Sequence, residues 1–217
     1  RGLGRWQDAP VRSWSPAKEA QRSPRVKVAA RPAEQAHLCL ALRGVSYMHP
    51  DRFAHDLLNV VLGEGMTSRL FLEIRERRGL VYDIHSYVDH FMDSGVLSIY
   101  AGVDPARAEL TLEAVLEELK KLKNGVPQPE MVKAREFSKG RLQLAMEDSR
   151  SVVRWLGAQE LLLGRVLTLD EVVAIIDRIT AEDLARAASE LVRPDRLNMA
   201  VVGPGAKSGQ FKKLLRL

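Results

Sequence analysis

The spacing of apolar residues changes along the chain and divides it into predicted strands and helices. Residues 37–45 alternate, with leucines from Leu38 to Leu42 on one side and polar or small residues on the other. This period of two is typical of a half-buried strand. After Asp51 the apolar residues recur at helical spacing and stop at Gly63. We therefore predict a strand followed by a helix that ends at this glycine.

Three further segments have strand character. Residues 81–88 and 96–103 are rich in Val, Ile and Tyr, and a polar turn from Asp93 to Gly95 joins them, which predicts a β-hairpin. Residues 196–202 read as a returning strand, and residues 25–29 alternate basic and apolar side chains as a short edge strand would.

A helix is predicted directly after the hairpin. Asp104 suits its N-cap, Pro105 its first turn and Gly125 the position past its end. We expect it to bury one stripe of side chains. The predicted members of that stripe are Leu110, Ala114, Leu119 and Leu122.

The second half of the chain is helical by pattern. A long run begins at Pro129 and continues, with a break near Ser149, to Leu163. Thr168 and Thr180 each precede an acidic residue at the spacing of a capping box and predict the last two helices. Because strands cluster and helices cluster, the pattern predicts an α+β fold in two layers, with helices on one face of a mostly antiparallel mixed sheet.

The ends of the chain differ from its body. Residues 1–32 read as a linker with a possible edge strand, and residues 33–217 as one domain with a basic C-terminal tail. Trp6 and Trp14 have large apolar surfaces, so we expect the linker to lie against a folded surface.

Charge follows the same division. The net charge of the chain is +5. The first 32 residues and the tail from Pro204 are basic, so the body between them is acidic. A basic patch on a folded face would favour nucleic acid, whereas basic ends on an acidic body are typical of solvated termini. We expect no nucleic-acid partner.

Other classes of protein are also disfavoured. There is no apolar run long enough to cross a membrane, so we expect no membrane partner and a soluble protein of the bacterial cytoplasm or periplasm. The single cysteine, Cys39, cannot form an intrachain disulfide and lies in an apolar strand, which predicts an inert buried thiol.

Common catalytic motifs are missing. Neither His-Glu-x-x-His nor the inverted His-x-x-Glu-His occurs, and His85 and His90 have the spacing of ordinary surface or edge residues. There is no nucleophile elbow and no phosphate loop, and the Gly63-x-Gly65 pair follows a helix where a dinucleotide site follows a strand. We expect no metal or cofactor site in this chain.

The stretch from Gly63 to Tyr82 is the most informative part of the sequence. Leu70 and Ile74 predict the buried side of a helix over residues 68–78, and Glu73 with Arg77 form a favourable i,i+4 pair. Gly79 suits the position that ends this helix.

The predicted helix and the strand after it can bring two hydrogen-bond donors together. If Arg75 lies on the exposed side of the helix, Tyr82 in the next strand can return beside it, and the pair would suit an oxyanion or a peptide carbonyl. The alternative is structural: Arg75 belongs to a solvated helix end, and Tyr82 has its ring in the core.

The residues of this stretch resemble a known family signature. Gly-x-Gly-x-x-Ser-Arg-Leu-Phe-x-x-Ile-Arg-Glu-x-x-Gly-Leu-x-Tyr, which runs from Gly63 through Ser68, Arg69 and Gly79 to Tyr82, is similar to the C-terminal half of the M16 zinc metallopeptidases. That group includes pitrilysin, insulysin and the mitochondrial processing peptidase. The resemblance covers roughly residues 26–205 and ends in Val201-Val202-Gly203-Pro204.

The resemblance implies a site shared between two halves. In that family the first half carries His-x-x-Glu-His and the zinc, and the second half lacks zinc. Positions that match Arg75 and Tyr82 hold the substrate backbone and help stabilise the tetrahedral intermediate. Gly63, Gly65, Ser68, Arg69 and Gly79 match the loop and helix that support them. Zinc is therefore expected in a separate N-terminal half or partner subunit.

The resemblance thus predicts the C-terminal substrate-binding half of a metalloendopeptidase that encloses extended peptides. The chain begins at Arg1 with too few residues before the domain for a zinc half, so we expect it to be inactive alone. The alternative is a non-catalytic structural or assembly subunit of the same fold, like the core proteins of respiratory complex III. An isolated half can also self-associate through the surface that meets its partner.

Overall fold

The computed structural model describes residues 15–205 and 208–217. One five-stranded sheet, in the spatial order β1-β5-β2-β4-β3, forms one layer of the domain. The strands are β1 (Arg25–Ala30), β2 (Ala36–Gly44), β3 (Val81–His90), β4 (Gly95–Val103) and β5 (Leu197–Gly203). β1 and β5 pair in parallel, and the other neighbours pair antiparallel. The predicted α+β class and mostly antiparallel mixed sheet are confirmed.

Helices make up the second layer. They are α1 (Arg52–Leu62), α2 (Ala108–Lys123), α3 (Gln128–Ala145), α4 (Ser149–Leu163), α5 (Leu169–Arg178), α6 (Ala181–Leu191) and α7 (Ser208–Leu214). A π-helix, Phe71–Arg77, and two short 3₁₀ turns, Pro105–Arg107 and Pro194–Arg196, complete the regular structure of the described residues. None of these helices has the combination of length and apolar character that a membrane-spanning helix needs.

The core lies between the layers. Leu38, Leu40 and Leu42 of β2 are buried, as the alternation predicts, while the residues between them are only half-buried or exposed. Cys39 is one of these and is half-buried, so the predicted buried thiol is covered only in part. It faces away from the leucines because successive strand residues point to opposite faces, although partial burial still raises the pKa of its thiol.

Most helix boundaries follow their predicted signals. The Thr168 side chain accepts from the backbone N–H of Glu171, whose carboxylate accepts from Thr168, and Thr180 with Asp183 does the same. Both capping boxes are confirmed. The long pattern after Pro129 is two helices, with the break before Ser149 as predicted.

One predicted core residue is exposed. Leu110 of α2 faces solvent, whereas Ala114, Leu119 and Leu122 are buried as expected. The buried stripe runs through Leu112, which lies about 200° around the helix axis from Leu110. The prediction for Leu110 is therefore wrong, because this residue lies outside the buried stripe that contains the other three.

Residues 15–24 form no helix or strand but contact the sheet. Glu19 pairs with Arg43 at 2.9 Å, and the Gln21 amide donates to the Leu197 carbonyl at 2.9 Å. Trp6 and Trp14 lie outside the described residues. The division of the chain at residue 33 stays a prediction, since β1 precedes it and yet pairs with β5.

Candidate functional site

The glycine loop after α1 is fixed by a buried polar network. Gly63 donates to the carbonyl of Asn59 at 2.9 Å and accepts from the backbone N–H of Ser86 at 3.1 Å. A Cβ on Gly63 would lie only 2.5 Å from Ser86 Oγ, so glycine is required by the close approach to β3. The Ser86 hydroxyl donates to Asn59 Oδ1 at 2.6 Å, and Asn59 Nδ2 donates to Glu64 at 3.0 Å.

Gly65 and Ser68 of the motif close the same loop. Gly65 has a φ of +88°, which an L side chain rarely adopts. Ser68 is buried, and its hydroxyl donates to the Gly65 carbonyl at 2.7 Å, which closes the loop directly before the helix. The two glycines and the serine thus fix where the helix begins.

Arg69 fastens the start of this helix to α3. Its Nε donates to Glu130 Oε2 at 2.8 Å, a terminal nitrogen reaches the same oxygen at 2.7 Å, and that nitrogen also lies 3.3 Å from the Gly125 carbonyl. The guanidinium is mostly buried. A charge in such a place needs a partner, so Arg69 and Glu130 hold the helix as a pair.

The helix itself is a π-helix. The helix predicted over residues 68–78 is present, but after one turn its hydrogen bonds change to i→i+5, as from the Arg78 N–H to the Glu73 carbonyl at 3.1 Å. Ile74 is buried and the Glu73–Arg77 pair is present at 3.1 Å, as expected. Short π-helical segments are rare and frequently occur at functional sites. The change of helix type is therefore independent support for a site here.

The exit from the helix is also fixed. Gly79 has a φ of +58°, and its carbonyl accepts from Arg107 at 2.8 Å. Glu73 accepts from Arg78 and Arg77, and the hydrogen bond from Arg78 is the main cause that lowers the pKa of its carboxyl. The acidic partner therefore stays ionised and orders the last turn.

Arg75 and Tyr82 both reach the surface. The Arg75 side chain is 43% exposed, and its guanidinium lies 4.8 Å from the centre of the Phe71 ring. Tyr82 is 64% exposed. A β-bulge between Val81 and Asp83 interrupts the pairing of β3 with β4 and turns Tyr82 outward. The alternative that places the Tyr82 ring in the core is wrong.

Arg75 and Tyr82 lie on either side of Gly79 in the chain. In the part of the chain that the structure describes, no hydrogen bond joins their two side chains. Arg75 lies in the last turn of the π-helix, and Tyr82 is the second residue of β3. Both side chains remain able to donate to a ligand oxygen. Donors of these two types are able to bind an anion or a carbonyl oxygen.

The histidines do not form a metal centre. Within residues 15–205 and 208–217, no group of three or more His, Cys, Asp and Glu side chains is placed to hold a metal ion. His85 is exposed beside Asp83, but the ring of His90 is largely buried, with Nε2 3.2 Å from Asp56 and Nδ1 2.8 Å from the Val45 carbonyl. His90 is thus on an edge strand, as expected, but is not a surface residue.

Sequence reasoning missed the residues that hold the motif in place. Asn59, Ser86, Arg107 and Glu130 belong to other elements, and no short motif joins them to Gly63–Tyr82. Asn59 alone carried a signal, since an asparagine between the apolar residues of α1 occupies a position that is normally apolar.

Comparison with known proteins identifies relatives of this chain. Residues 2–137 match the family model described as the peptidase M16 inactive domain. An uncharacterized zinc protease of Bacillus subtilis is 37% identical over 172 residues, which are 79% of this chain and 42% of that protein.

Two solved structures share the fold. A protease from Helicobacter pylori superposes with a TM-score of 0.83 at 23% identity, over 91% of this chain and 48% of that one. A peptidase M16 inactive domain from Pseudomonas fluorescens superposes with a TM-score of 0.79 at 25% identity, over 90% of this chain and 48% of that one. This chain spans less than half the length of each of these three proteins. Because the family model covers more than half of the chain, the chain belongs to the peptidase M16 family and corresponds to its inactive domain.

Proposed function

We propose that this chain is the substrate-binding half of a zinc-dependent M16 metalloendopeptidase, and that Arg75 and Tyr82 bind the backbone of the peptide that is cleaved. The observation that carries the proposal is the exposure of both donors at the two ends of one braced turn. A structural role alone gives no reason for a bulge that turns Tyr82 toward solvent.

The described residues do not fit zinc, so the metal belongs to another half or subunit in this proposal. The work left to this chain is binding and charge stabilisation. A peptide carbonyl oxygen gains negative charge as its carbon becomes tetrahedral, and donors already aimed at that oxygen stabilise the charge at no cost in reorganisation. Arg75 supplies a permanent positive charge, and Tyr82 supplies a neutral phenolic donor.

The sheet offers a way to align an extended peptide. β3 is an edge strand and carries Tyr82 at its beginning. An extended peptide can add to an exposed sheet edge through main-chain hydrogen bonds, which fix its direction without reading its sequence. The substrate class that follows is an unstructured peptide, and this chain alone is inactive.

The test is reconstitution with a zinc-bearing M16 half, with cleavage of an unstructured peptide as the readout. Arg75→Ala and Tyr82→Phe should each lower kcat by about tenfold to a thousandfold, because each removes one donor to the developing charge. Tyr87→Phe is the matched control, since Tyr87 is an exposed tyrosine of the same strand.

The outcomes separate this function from a scaffold. Normal turnover in both variants would remove the role assigned to Arg75 and Tyr82. If a competent zinc half gains no activity from this chain, then the chain is a non-catalytic subunit of the same fold.

A further inference from the structure

Arg52, the first residue of α1, is a buried cation without an acidic partner in the described part of the chain. It is 9% exposed. The two acids that lie closest to it in the sequence pair with other residues. Asp51 pairs with Arg186 at 2.6 Å, and Asp56 lies 3.2 Å from His90. A permanent charge that is taken out of water normally requires a partner, so this guanidinium is able to receive an anion.

Two aromatic rings hold the guanidinium in place. Its Cζ lies 4.3 Å from the centre of the Tyr47 ring and 4.4 Å from the centre of the Phe53 ring. These cation–π contacts stabilise the charge in part and restrict its movement. Nη1 donates to the Tyr47 carbonyl at 2.9 Å. A guanidinium has five N–H donors, so most of those of Arg52 remain available, and neither Nε nor Nη2 is sealed from solvent.

The available donors open into a cavity of about 520 Å³ between the start of α1 and the segment that joins α4 to α5. This volume lies within the range of small-molecule sites. None of the described residues that line the cavity is acidic. A second arginine, Arg165, lies at the cavity but is already paired with Glu171 at 3.2 Å. The apolar part of the wall consists of Met48, Phe53, Leu163, Leu167 and Ile175.

We propose that this cavity binds the C-terminal residue of a peptide, with the carboxylate on Arg52 and an apolar last side chain against the apolar wall. A carboxylate has two oxygens that match two parallel N–H donors of a guanidinium. One available cation balances one negative charge, whereas a phosphate group would require a second cation. The chain belongs to a peptidase family, and each cleavage of a peptide releases a new C-terminal carboxylate.

The cavity is distant from the Arg75–Tyr82 site. The Tyr47 N–H donates to the Phe91 carbonyl at 2.7 Å, directly after β3 ends, whereas Tyr82 lies at the beginning of β3. At about 3.3 Å per residue, the length of this strand separates the two sites by roughly 30 Å. A ligand of the cavity therefore binds without contact to either donor of the candidate site.

Isothermal titration calorimetry of the 217-residue chain with short peptides tests the proposal. The probe is N-acetyl-Gly-Gly-Leu with a free carboxylate, titrated to about 5 mM, because one charge pair and one apolar side chain support about millimolar binding. Two matched peptides are its C-terminal amide, which lacks the charge, and N-acetyl-Gly-Gly-Gly, which lacks the apolar side chain. The leucine acid should bind about tenfold more tightly than either.

Variants of the cavity test the role of the cation. Arg52→Gln should weaken binding of the leucine acid by about tenfold or more. Arg52→Lys keeps the charge but not the paired donors, so its affinity should lie between those of wild type and Arg52→Gln.

A second substitution leaves Arg52 in place. Met48 is mostly exposed, so Met48→Asp should not disturb the core, and its negative charge beside the cavity should repel the carboxylate and weaken binding. Leu110→Asp is the matched control, since it places the same charge on an exposed leucine of α2 outside the cavity, and it should bind normally.

Four results would overturn the proposal. Equal binding of the leucine acid and its amide would remove the role of the charge, and unchanged binding by both Arg52→Gln and Met48→Asp would remove the cavity as the site. Binding of octanoate, a free apolar acid, without binding of the leucine acid would exclude a peptide terminus. If no carboxylate binds, the cavity is not a ligand site. None of the substituted residues belongs to the Arg75–Tyr82 site, so this test and the peptidase test can fail separately.

Discussion

Acid should destabilise the fold through one buried histidine. His55 of α1 is 1% exposed, and neither ring nitrogen has a hydrogen-bond partner among the described residues. Burial, together with the nearby charge of His90, lowers the pKa of His55 from 6.5 to about 4. The folded protein therefore holds this imidazole neutral in a pH range where the unfolded chain protonates it.

The sign and size follow from proton linkage. Between pH 6.5 and about 4 the unfolded state binds one more proton than the folded state at His55, so the free energy of unfolding decreases as the pH falls. At about 1.4 kcal/mol per pKa unit, the loss reaches about 2 kcal/mol at pH 5 and about 3 kcal/mol over the whole window.

His90 contributes in the opposite direction. Burial opposes its charge, but the hydrogen bond and the negative charge of Asp56 outweigh burial and raise the pKa of His90. That stabilisation is fully present below the unfolded pKa and is lost as the pH rises through the folded pKa. The effect of His55 must therefore be measured as a difference between variants.

The perturbation is His55→Leu, with urea unfolding followed by circular dichroism near pH 7.5 and near pH 5. Leucine removes the proton site without breaking a hydrogen bond, so the wild type should lose about 2 kcal/mol more than the variant on acidification. Val60→Ala, a cavity-forming control on the same helix, should lower stability equally at both pH values. If wild type and His55→Leu lose equal stability, the buried neutral histidine is refuted.

Three further substitutions test the supports of the site and one helix cap. Glu130→Gln should lower the free energy of unfolding by about 1–3 kcal/mol, because it leaves the mostly buried guanidinium of Arg69 without its counter-charge. An unchanged midpoint of urea unfolding would contradict the pairing of Arg69 with Glu130. Gly63→Ala should cost about 1–3 kcal/mol, because its Cβ would collide with Ser86, whereas Gly140→Ala, in open space, should be neutral or stabilising. Thr168→Ala should lower the melting temperature by the equivalent of about 1 kcal/mol through loss of the capping box, and equal melting temperatures would show that the cap is not used.

Local signals predicted most elements because their causes are local. The alternation around Leu38–Leu42, the stop at Gly63 and the two capping boxes depend on residues within a few positions of one another. The hairpin after Val81 depends on a short turn and two β-rich runs. The residues that signal these features are close together in the chain, so the sequence displays them directly.

The order of the strands could not be read in the same way. β1 pairs with β5, which lies about 170 residues later, and no local pattern names a partner at that separation. Which leucines of α2 are buried depends on how the helix packs against the rest of the domain, and Leu110 was misplaced for that reason. A π-helix and an α-helix of one turn also bury similar positions, so Leu70 and Ile74 predicted a helix but not its type.

The candidate site combines both kinds of information. The motif from Gly63 to Tyr82 predicts Arg75 and Tyr82 as the two donors of the candidate site. The exposure of these side chains depends on contacts from elsewhere in the chain. Glu130 holds the start of the π-helix, and Arg107 holds Gly79 after its end. A segment held at both ends can keep a π-helix and a bulge in place, where a free segment would favour an α-helix and a regular strand. Weakening the Glu130 brace should therefore reduce peptide cleavage in the reconstituted enzyme even where the fold survives.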